Sequence, residues 1–281
     1  MQEGLAYQEL GQGLRTRTDV GKRDVHQLSE NVPVLEKVCK VLVGIPLKGH
    51  TPPASYHDRM LMWKHLGHRE EQDFFEKKSP RYTFSLSCTG EILVPYAREC
   101  FAKQAVDMGC DYLFMIDDDM LGPPDLFFKL LKHDKDIVAP LAFTRNPDHK
   151  PVIYQVIDGY DPISHENYYL NTYVMNYPRN RLVQCDAVGF GAVLIKADVL
   201  KKMAEPRFMG LMGTGEDVAF CWKAKKLGFE VWMDTSIKLG HLGSSIVITE
   251  DYADAYTKLS PDEREKVYGK YTRFPSMDLS T

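Results

Sequence analysis

A short apolar run that ends in three consecutive carboxylates constrains the fold of this chain more than any other feature. Residues 112–116 read Tyr-Leu-Phe-Met-Ile, and Asp117, Asp118 and Asp119 follow directly. A continuous apolar run of this length is typical of a strand that is buried on both faces of a parallel sheet. Acidic residues at the carboxyl end of such a strand fall at the crevice where open α/β sheets bind ligands. The sequence therefore predicts an α/β fold with a ligand site at residues 117–119.

The spacing of these carboxylates favours a divalent metal site. Neighbouring carboxylates repel one another, so a cation or a hydrogen-bond network must compensate when they are ionised together. On a strand end, Asp117 and Asp119 are separated by one residue and are expected to point to the same face. Carboxylate oxygens suit Mg²⁺ or Mn²⁺, whose shells are commonly completed by substrate phosphates. The alternative is a solvated acidic turn or a helix-capping cluster ahead of Pro123.

Hydrophobic patterns on either side of this run predict a mostly parallel sheet flanked by helices. Strand and helix patterns alternate at short spacings, which implies right-handed crossovers. The predicted strands are 38–46, 112–116, 136–140 and 229–233, and the predicted helices are 95–108, 123–133, 197–204 and 216–227. Short alternating stretches at 151–157, 168–175 and 182–195 predict a mixed-sheet extension. Residues 47–90 form a polar, His-rich insertion whose pattern predicts neither helix nor strand.

Composition and charge set the expected domain organisation. We expect an N-terminal extension (1–36), a catalytic domain (37–245) and a C-terminal helical tail (246–281), in which Ser260 and Pro261 signal a helix start. The net charge of −4 gives no global basic field of the kind that nucleic-acid binding needs. No run approaches the roughly 18 apolar residues of a membrane span. The first residues lack a basic-then-apolar signal pattern, so we expect a soluble, cytoplasmic protein.

A second constellation is the acidic start of the predicted helix at 216–227. Glu216 and Asp217 follow Gly213-Thr214-Gly215. Acids in a first turn interact favourably with the helix dipole, which is the structural interpretation. Two acids behind a flexible glycine pair also fit a general base, and Asp217 is the candidate with Glu216 beside it.

Two further segments are candidate binding elements. His241 stands between glycines and is either a loop residue or, beside an acidic metal site, an imidazole ligand. Gly189-Phe190-Gly191 precedes an apolar strand and no helix follows, so it is not a dinucleotide-binding loop. Close backbone approach to a ligand and a simple β-bulge both remain open for Gly189 and Gly191.

Taken together, residues 38–243 resemble the GT-A-type glycosyltransferases, in the broad family 2-like group. The resemblance rests on the strand Val41–Pro46, Asp117-Asp118-Asp119 as the DxD motif, the Gly-Phe-Gly segment, Gly-Glu-Asp at 215–217, and His241. It implies a GT-A-like (Rossmann-like) fold, with Pro46 near the nucleotide base and Arg98 on the nucleotide side. The implied donor-binding residues are Pro46, Arg98, Asp117, Asp118, Gly189 and Gly191. The implied metal ligands are Asp117, Asp119 and His241, and the implied catalytic residues are Asp217 and Glu216.

The resemblance implies a specific chemistry. The expected activity is transfer of a sugar from a nucleotide-sugar donor to a hydroxyl acceptor with Mn²⁺ or Mg²⁺. The acceptor is a glycan, a small molecule or, as a lesser alternative, a modified base in DNA. Asp217 as a base favours inversion of the anomeric carbon, although retention stays open. Two other functions also stay open: a nucleotidyltransferase that uses the same crevice, and a non-catalytic sugar- or nucleotide-binding module.

Overall fold

The computed structural model describes residues 37–47, 49, 51–78, 80–211, 214–243 and 246–268. The predicted N-terminal extension (1–36), Gly213 and the end of the predicted tail lie outside the described residues. The division into extension, catalytic domain and tail therefore stays a prediction. None of the helices within the described ranges is long and apolar enough to span a membrane.

The described chain alternates strands and helices in the order that an α/β fold requires. The strands are β1 (Val38–Leu47), β2 (Arg81–Gly90), β3 (Tyr112–Ile116), β4 (Met120–Leu121), β5 (Ile137–Leu141), β6 (Ile153–Asp161), β7 (Glu166–Tyr173), β8 (Leu182–Cys185), β9 (Ala187–Val188), β10 (Ala192–Lys196), β11 (Val231–Lys238), β12 (Gly240–Leu242) and β13 (Val247–Ile248). The helices are α1 (Pro53–Phe75), α2 (Val94–Asp107), α3 (Leu126–Leu131), α4 (Ala197–Lys202), α5 (Glu216–Lys226), α6 (Glu250–Thr257) and α7 (Pro261–Tyr268).

A seven-stranded sheet in the order β2-β1-β3-β10-β5-β11-β8 forms the centre of this fold. Strands β2, β1 and β3 are parallel, as are β5 and β11. Strand β10 runs antiparallel between β3 and β5, and β8 runs antiparallel to β11. The described chain also forms two small antiparallel sheets, with the strand orders β13-β12-β4 and β7-β6-β9.

Apolar side chains on alternate strand positions fill two core layers, one on each face of the sheet. On one face, Leu113 and Met115 of β3 belong to the same cluster as Phe101 of α2. On the other face, Phe114 belongs to the same cluster as Leu66 of α1. Burial on both faces explains why the strand reads as a continuous apolar run. The predicted α/β fold class is confirmed: a mostly parallel sheet is flanked by helices and has a mixed-sheet extension.

The predicted extent of the extension was wrong. Residues 182–195 form three strands, of which β8 and β10 join the main sheet and only β9 pairs with the β6–β7 hairpin. Strand β10 is apolar and buried between β3 and β5, which requires a place in the central sheet. Helix α3 begins at Leu126 and not at 123, because a residue before a proline, here Pro123 before Pro124, is disfavoured in helix.

The structure places α1 and β2 in the insertion at 47–90, for which the sequence predicted no element. The helix signal in the tail was right. Ser260 N–H donates to the Glu263 carboxylate at 2.8 Å, and Glu263 N–H donates back to Ser260 Oγ at 3.4 Å, which forms a capping box at the start of α7.

Candidate active site

The three carboxylates form a turn between β3 and β4. Asp117 N–H donates to the Gly191 carbonyl at 2.8 Å, and Met120 N–H donates to the Asp117 carbonyl at 3.3 Å. Strand β3 ends at Ile116, so the two-residue alternation of a strand does not continue into the turn. In this turn the Asp117 carboxylate pairs with Arg98 and the Asp119 carboxylate pairs with Arg145, and a cation shared by the two carboxylates stays a prediction.

A cavity of about 420 Å³ lies beside this turn, which is within the size range of small-molecule sites. Its lining combines groups from the ends of β3, β5 and β12, from the start of α5 and from α2. The ionisable residues that line it are Arg98, Asp117, Arg145, Glu216, Asp217 and His241. The cavity therefore brings together five ionisable residues from the predicted donor, metal and catalytic sets.

Strand pairing places His241 next to the acidic turn. In the β4–β12 pair, His241 lies opposite Met120, and Leu242 N–H donates to the Asp119 carbonyl at 2.8 Å. His241 Nδ1 lies 2.7 Å from the Phe143 carbonyl, which can only accept a hydrogen bond, so Nδ1 carries the proton. His241 Nε2 lies 3.6 Å from Asp119 Oδ1.

This arrangement of His241 is the one that metal-binding imidazoles use. A ligating histidine commonly donates its other N–H to a carbonyl, which directs the free lone pair toward the metal. Here that lone pair and a carboxylate oxygen face each other, and two such acceptors repel unless a proton or a cation lies between them. The donor set Asp119 and His241 therefore fits a divalent cation. Within the described ranges, no group of three His, Cys, Asp or Glu side chains could hold a metal ion.

Arg98 links the acidic turn to the start of α5. Its guanidinium, which is 3% exposed, donates to the Asp117 carboxylate at 3.0 and 3.1 Å, to the Phe190 carbonyl at 3.0 Å, and to Glu216. Burial alone lowers the pKa of Arg98, but the carboxylates of Asp117 and Glu216 raise it, so the guanidinium stays charged. The Nη1 and Nη2 groups of Arg98 are bound within the protein. Its place on the nucleotide side and its contact with a nucleotide stay predictions.

Asp217 differs from its neighbour Glu216. It lines the cavity, and Asp217 Oδ1 accepts from Val218 N–H at 2.8 Å. Burial raises the pKa of Asp217 and the charge of Glu216 raises it further, while Arg98 opposes the rise. A carboxylate with a raised pKa is a stronger proton acceptor when ionised. Both acids thus line the cavity, but Glu216 is bound to Arg98 whereas Asp217 accepts a hydrogen bond from the backbone.

Arg145 lines the cavity and was not predicted. Arg145 Nη1 lies 3.1 Å from Asp119 Oδ2, and its side chain is 45% exposed. It follows β5 in the segment Phe143-Thr144-Arg145. Because ligands bind beyond the carboxyl ends of parallel strands, the position of this arginine after a predicted strand was the signal that could have found it.

Arg59 and Asp58 of α1 support the turn from the other side and were also not predicted. Arg59 Nη2 donates to the carbonyls of Asp117 at 2.9 Å and Met120 at 2.5 Å, while Nη1 pairs with Asp58 at 2.6 Å. Asp58 in turn accepts from Gly122 N–H at 3.3 Å. The insertion thus contributes a clamp on the backbone of the acidic turn. We name Asp58 and Arg59 the α1 clamp.

The remaining predicted residues lie in or near the site. Pro46 is buried in β1 and Asp118 is 5% exposed, and neither lines the cavity. Gly189 and Gly191 line it with their backbone. A Cβ at Gly189 would meet Val152 Cβ at 2.8 Å, and one at Gly191 would meet Met120 Cε at 3.0 Å. Close packing against protein side chains therefore accounts for both glycines.

Comparison with known proteins gives a likeness of fold. No family model and no curated protein matches the sequence. Among solved structures, the chain is similar to A197 from STIV, with a TM-score of 0.50 and 17% identity over 76% of this chain and 91% of that one. It is also similar to GalNAc-T7 crystallised with UDP, GalNAc and Mn²⁺ (TM-score 0.45, 12% identity, 73% of this chain). A third similar structure is apo UDP-glucose pyrophosphorylase (TM-score 0.41, 9% identity, 78% of this chain and 97% of that one).

These similarities differ in the share of each known chain that they cover. The chain spans 43% of the GalNAc-T7 chain. At such identities the likeness to A197 concerns the fold alone. The family resemblance of the sequence is thus supported at the level of an α/β fold.

Proposed function

We propose that this protein is a metal-dependent glycosyltransferase that moves a sugar from a nucleotide-diphosphate sugar to a hydroxyl acceptor. One observation carries the proposal. Asp217, whose pKa is raised by burial, lines the same cavity as His241, which faces the carboxylate of Asp119. Transfer to a hydroxyl needs both a proton acceptor and a cationic site for the leaving group, and this cavity can supply both.

Asp119 and His241 would hold Mn²⁺ or Mg²⁺, and donor phosphate oxygens and water would complete its shell. The ion would neutralise the charge that develops on the departing diphosphate. Asp117 lines the same cavity and is held by Arg98. It is the donor-side carboxylate of the proposed site.

Asp217 is the proposed general base. It takes the proton of the acceptor hydroxyl as that oxygen forms its bond to the anomeric carbon and the bond from this carbon to the diphosphate breaks. Its raised pKa favours proton acceptance, since base strength follows pKa in general base catalysis. A base on the acceptor side favours inversion of the anomeric carbon. Glu216, bound to Arg98, orients the start of α5.

The same residue argues against nucleotidyl transfer. When a sugar phosphate is the acceptor in that reaction, the attacking group is a phosphate, which is already ionised near neutral pH and needs no base. A carboxylate in the cavity would repel this anion. A hydroxyl acceptor is therefore the better match to Asp217.

The test is a donor screen followed by product analysis. Thermal shift with Mn²⁺ and a panel of nucleotide sugars identifies the donor, because a ligand at 100 times its dissociation constant adds about 2.7 kcal/mol of stability. The identified donor is then incubated with glycan and small-molecule hydroxyl acceptors, with Asp119→Ala as the control.

Release of nucleoside diphosphate, lost in Asp119→Ala, is the expected result. Release of pyrophosphate from a nucleoside triphosphate and a sugar phosphate would replace the proposal with nucleotidyl transfer. Donor binding without turnover on any acceptor would leave a binding module.

A further inference from the structure

We propose that Arg145 competes with the divalent cation for Asp119 and, once the cation is bound, binds the diphosphate of the donor. This inference rests on the proposed function, because it assumes a cation at Asp119 and His241. It assigns to Arg145 the role of a donor-binding residue whose position depends on the metal.

The contacts of Asp119 are divided between its two oxygens. Oδ2 lies 3.1 Å from Arg145 Nη1, and Oδ1 lies 3.6 Å from His241 Nε2. Asp119 is 7% exposed, so its position is fixed by the surrounding protein. The positively charged guanidinium of Arg145 therefore lies beside the carboxylate that would bind the metal in the proposed site.

The two partners differ in their freedom to move. The side chain of Arg145 is 45% exposed and lines the cavity. A long side chain with this exposure keeps rotamer freedom, and an exposed ion pair is worth little in water. Arg145 can thus leave Asp119 at low cost without disturbing the core.

Charge decides where the guanidinium goes when a cation binds. A divalent ion at Asp119 repels the guanidinium and satisfies the carboxylate. A diphosphate on the same ion brings anionic oxygens into the cavity, and guanidinium groups bind phosphate oxygens with paired, charge-assisted hydrogen bonds. Loss of Arg145 should therefore have opposite effects on metal binding and on nucleotide binding.

The experiment measures the two affinities separately on the full chain. Calorimetry or Mn²⁺ electron paramagnetic resonance without nucleotide should show Mn²⁺ binding to Arg145→Ala about two- to five-fold tighter than to the wild type, since one competing exposed ion pair is removed. With saturating Mn²⁺, UDP or GDP should bind this variant about 10- to 100-fold more weakly, because a charge-assisted contact is lost.

Lys150→Ala is the matched control. Lys150 lies in the same connection between β5 and β6, and its ammonium lies 5.2 Å from the centre of the Tyr173 ring. The variant removes one positive charge at a residue that does not line the cavity. Both affinities should stay near the wild-type values in this variant.

Three results would overturn the inference. Weaker or unchanged Mn²⁺ binding in Arg145→Ala would remove the competition, and unchanged nucleotide binding would remove the diphosphate contact. If Asp119→Ala abolishes Mn²⁺ binding and Arg145→Ala changes neither affinity, only the inference fails. If the wild type shows no Mn²⁺ binding that depends on Asp119, the metal site of the proposed function fails with it.

Discussion

Replacement of Arg59 by methionine tests whether α1 holds the acidic turn in place. The guanidinium donates to the carbonyls of Asp117 and Met120, at opposite ends of the turn, and pairs with Asp58. Arg59 is 8% exposed, and burial lowers the pKa of its guanidinium while Asp58 raises it. Methionine keeps most of the apolar stem and removes every hydrogen bond that the guanidinium makes.

The magnitude follows from the groups that lose a partner. Each of the two carbonyls loses a buried donor, which costs about 1–3 kcal/mol, and Asp58 loses its counter-charge. Part of this loss is offset for two reasons. The variant no longer pays the free-energy cost of burying a charged guanidinium, and water can enter the space that the guanidinium leaves. We therefore expect a net loss of about 3 kcal/mol, which for a domain of roughly 150–250 residues lowers the melting temperature by about 6–12 °C.

The assay is a thermal melt of Arg59→Met beside Lys64→Met, followed by Mn²⁺ titration below the melting range. Lys64 is an exposed residue of the same helix, so its replacement should stay within about 0.5 kcal/mol of the wild type. Arg59→Met should also bind Mn²⁺ more weakly, because the backbone that carries Asp119 is loosened. A melting temperature and an Mn²⁺ affinity equal to those of Lys64→Met would refute the role of the clamp.

Three further substitutions test the site itself. Asp119→Ala should abolish turnover and Mn²⁺-dependent nucleotide binding in a folded protein, and an unchanged UDP or GDP affinity by calorimetry would contradict the metal assignment. His241→Ala should shift the metal titration of turnover to higher concentration without abolishing it, since Asp119 and the diphosphate still hold the ion; overlapping titrations would make His241 a structural residue. Asp217→Asn should lower turnover by about 10²–10⁴-fold with donor binding kept, and near-normal rates would remove Asp217 from the mechanism. Burial raises the pKa of Asp217, so the folded wild type loses stability as the pH rises through that pKa and the carboxylate ionises. Asp217→Asn should therefore melt at a higher temperature than the wild type at about pH 8, and at the same temperature below about pH 3.9. A difference in melting temperature that is the same at both pH values would contradict the burial of this charge.

Elements whose core face is apolar could be predicted from the sequence. Helix α2 was predicted at 95–108 and lies at Val94–Asp107, and α5 was predicted at 216–227 and lies at Glu216–Lys226. Both helices bury alanine and phenylalanine at helical spacing, as at Ala97 and Phe101. Hydrophobic periodicity carries this information locally, so no long-range contact was needed.

Helix α1 could not be predicted in this way because its buried face is largely polar. The buried residues are Ser55, Arg59, Met62, Leu66 and Asp73, which follow helical spacing. Three of them are polar or charged, while Tyr56, Met60 and Leu61 of the same helix are exposed. The apolar pattern therefore does not mark the core side of this helix. Its polar contacts with the acidic turn exist only after the chain has folded.

The sequence identified many of the candidate site residues, but it did not predict which of them contact one another. Asp117, Asp217 and His241 were nominated by residue type and by their positions after strands or before a helix, and the cavity does bring them together. The pairing of Arg98 with Asp117 joins residues in separate elements, and no local pattern encodes it. The different partners of Asp117 and Asp119 depend on the turn after Ile116, which a strand pattern does not foresee.

Arg98 gives the two acids at the start of α5 their different chemistry. Its guanidinium is shared between Asp117, after β3, and Glu216, the first residue of α5, so it links these two parts of the cavity wall. Glu216 directs its carboxylate to Arg98, while its charge, together with burial, raises the pKa of the adjacent Asp217. Neighbouring carboxylates whose environments separate their proton affinities are the usual basis for assigning an acid–base group. Within the proposed mechanism, the ion pair with Arg98 distinguishes Glu216 from Asp217, whose pKa is raised by burial, and this difference favours Asp217 as the base.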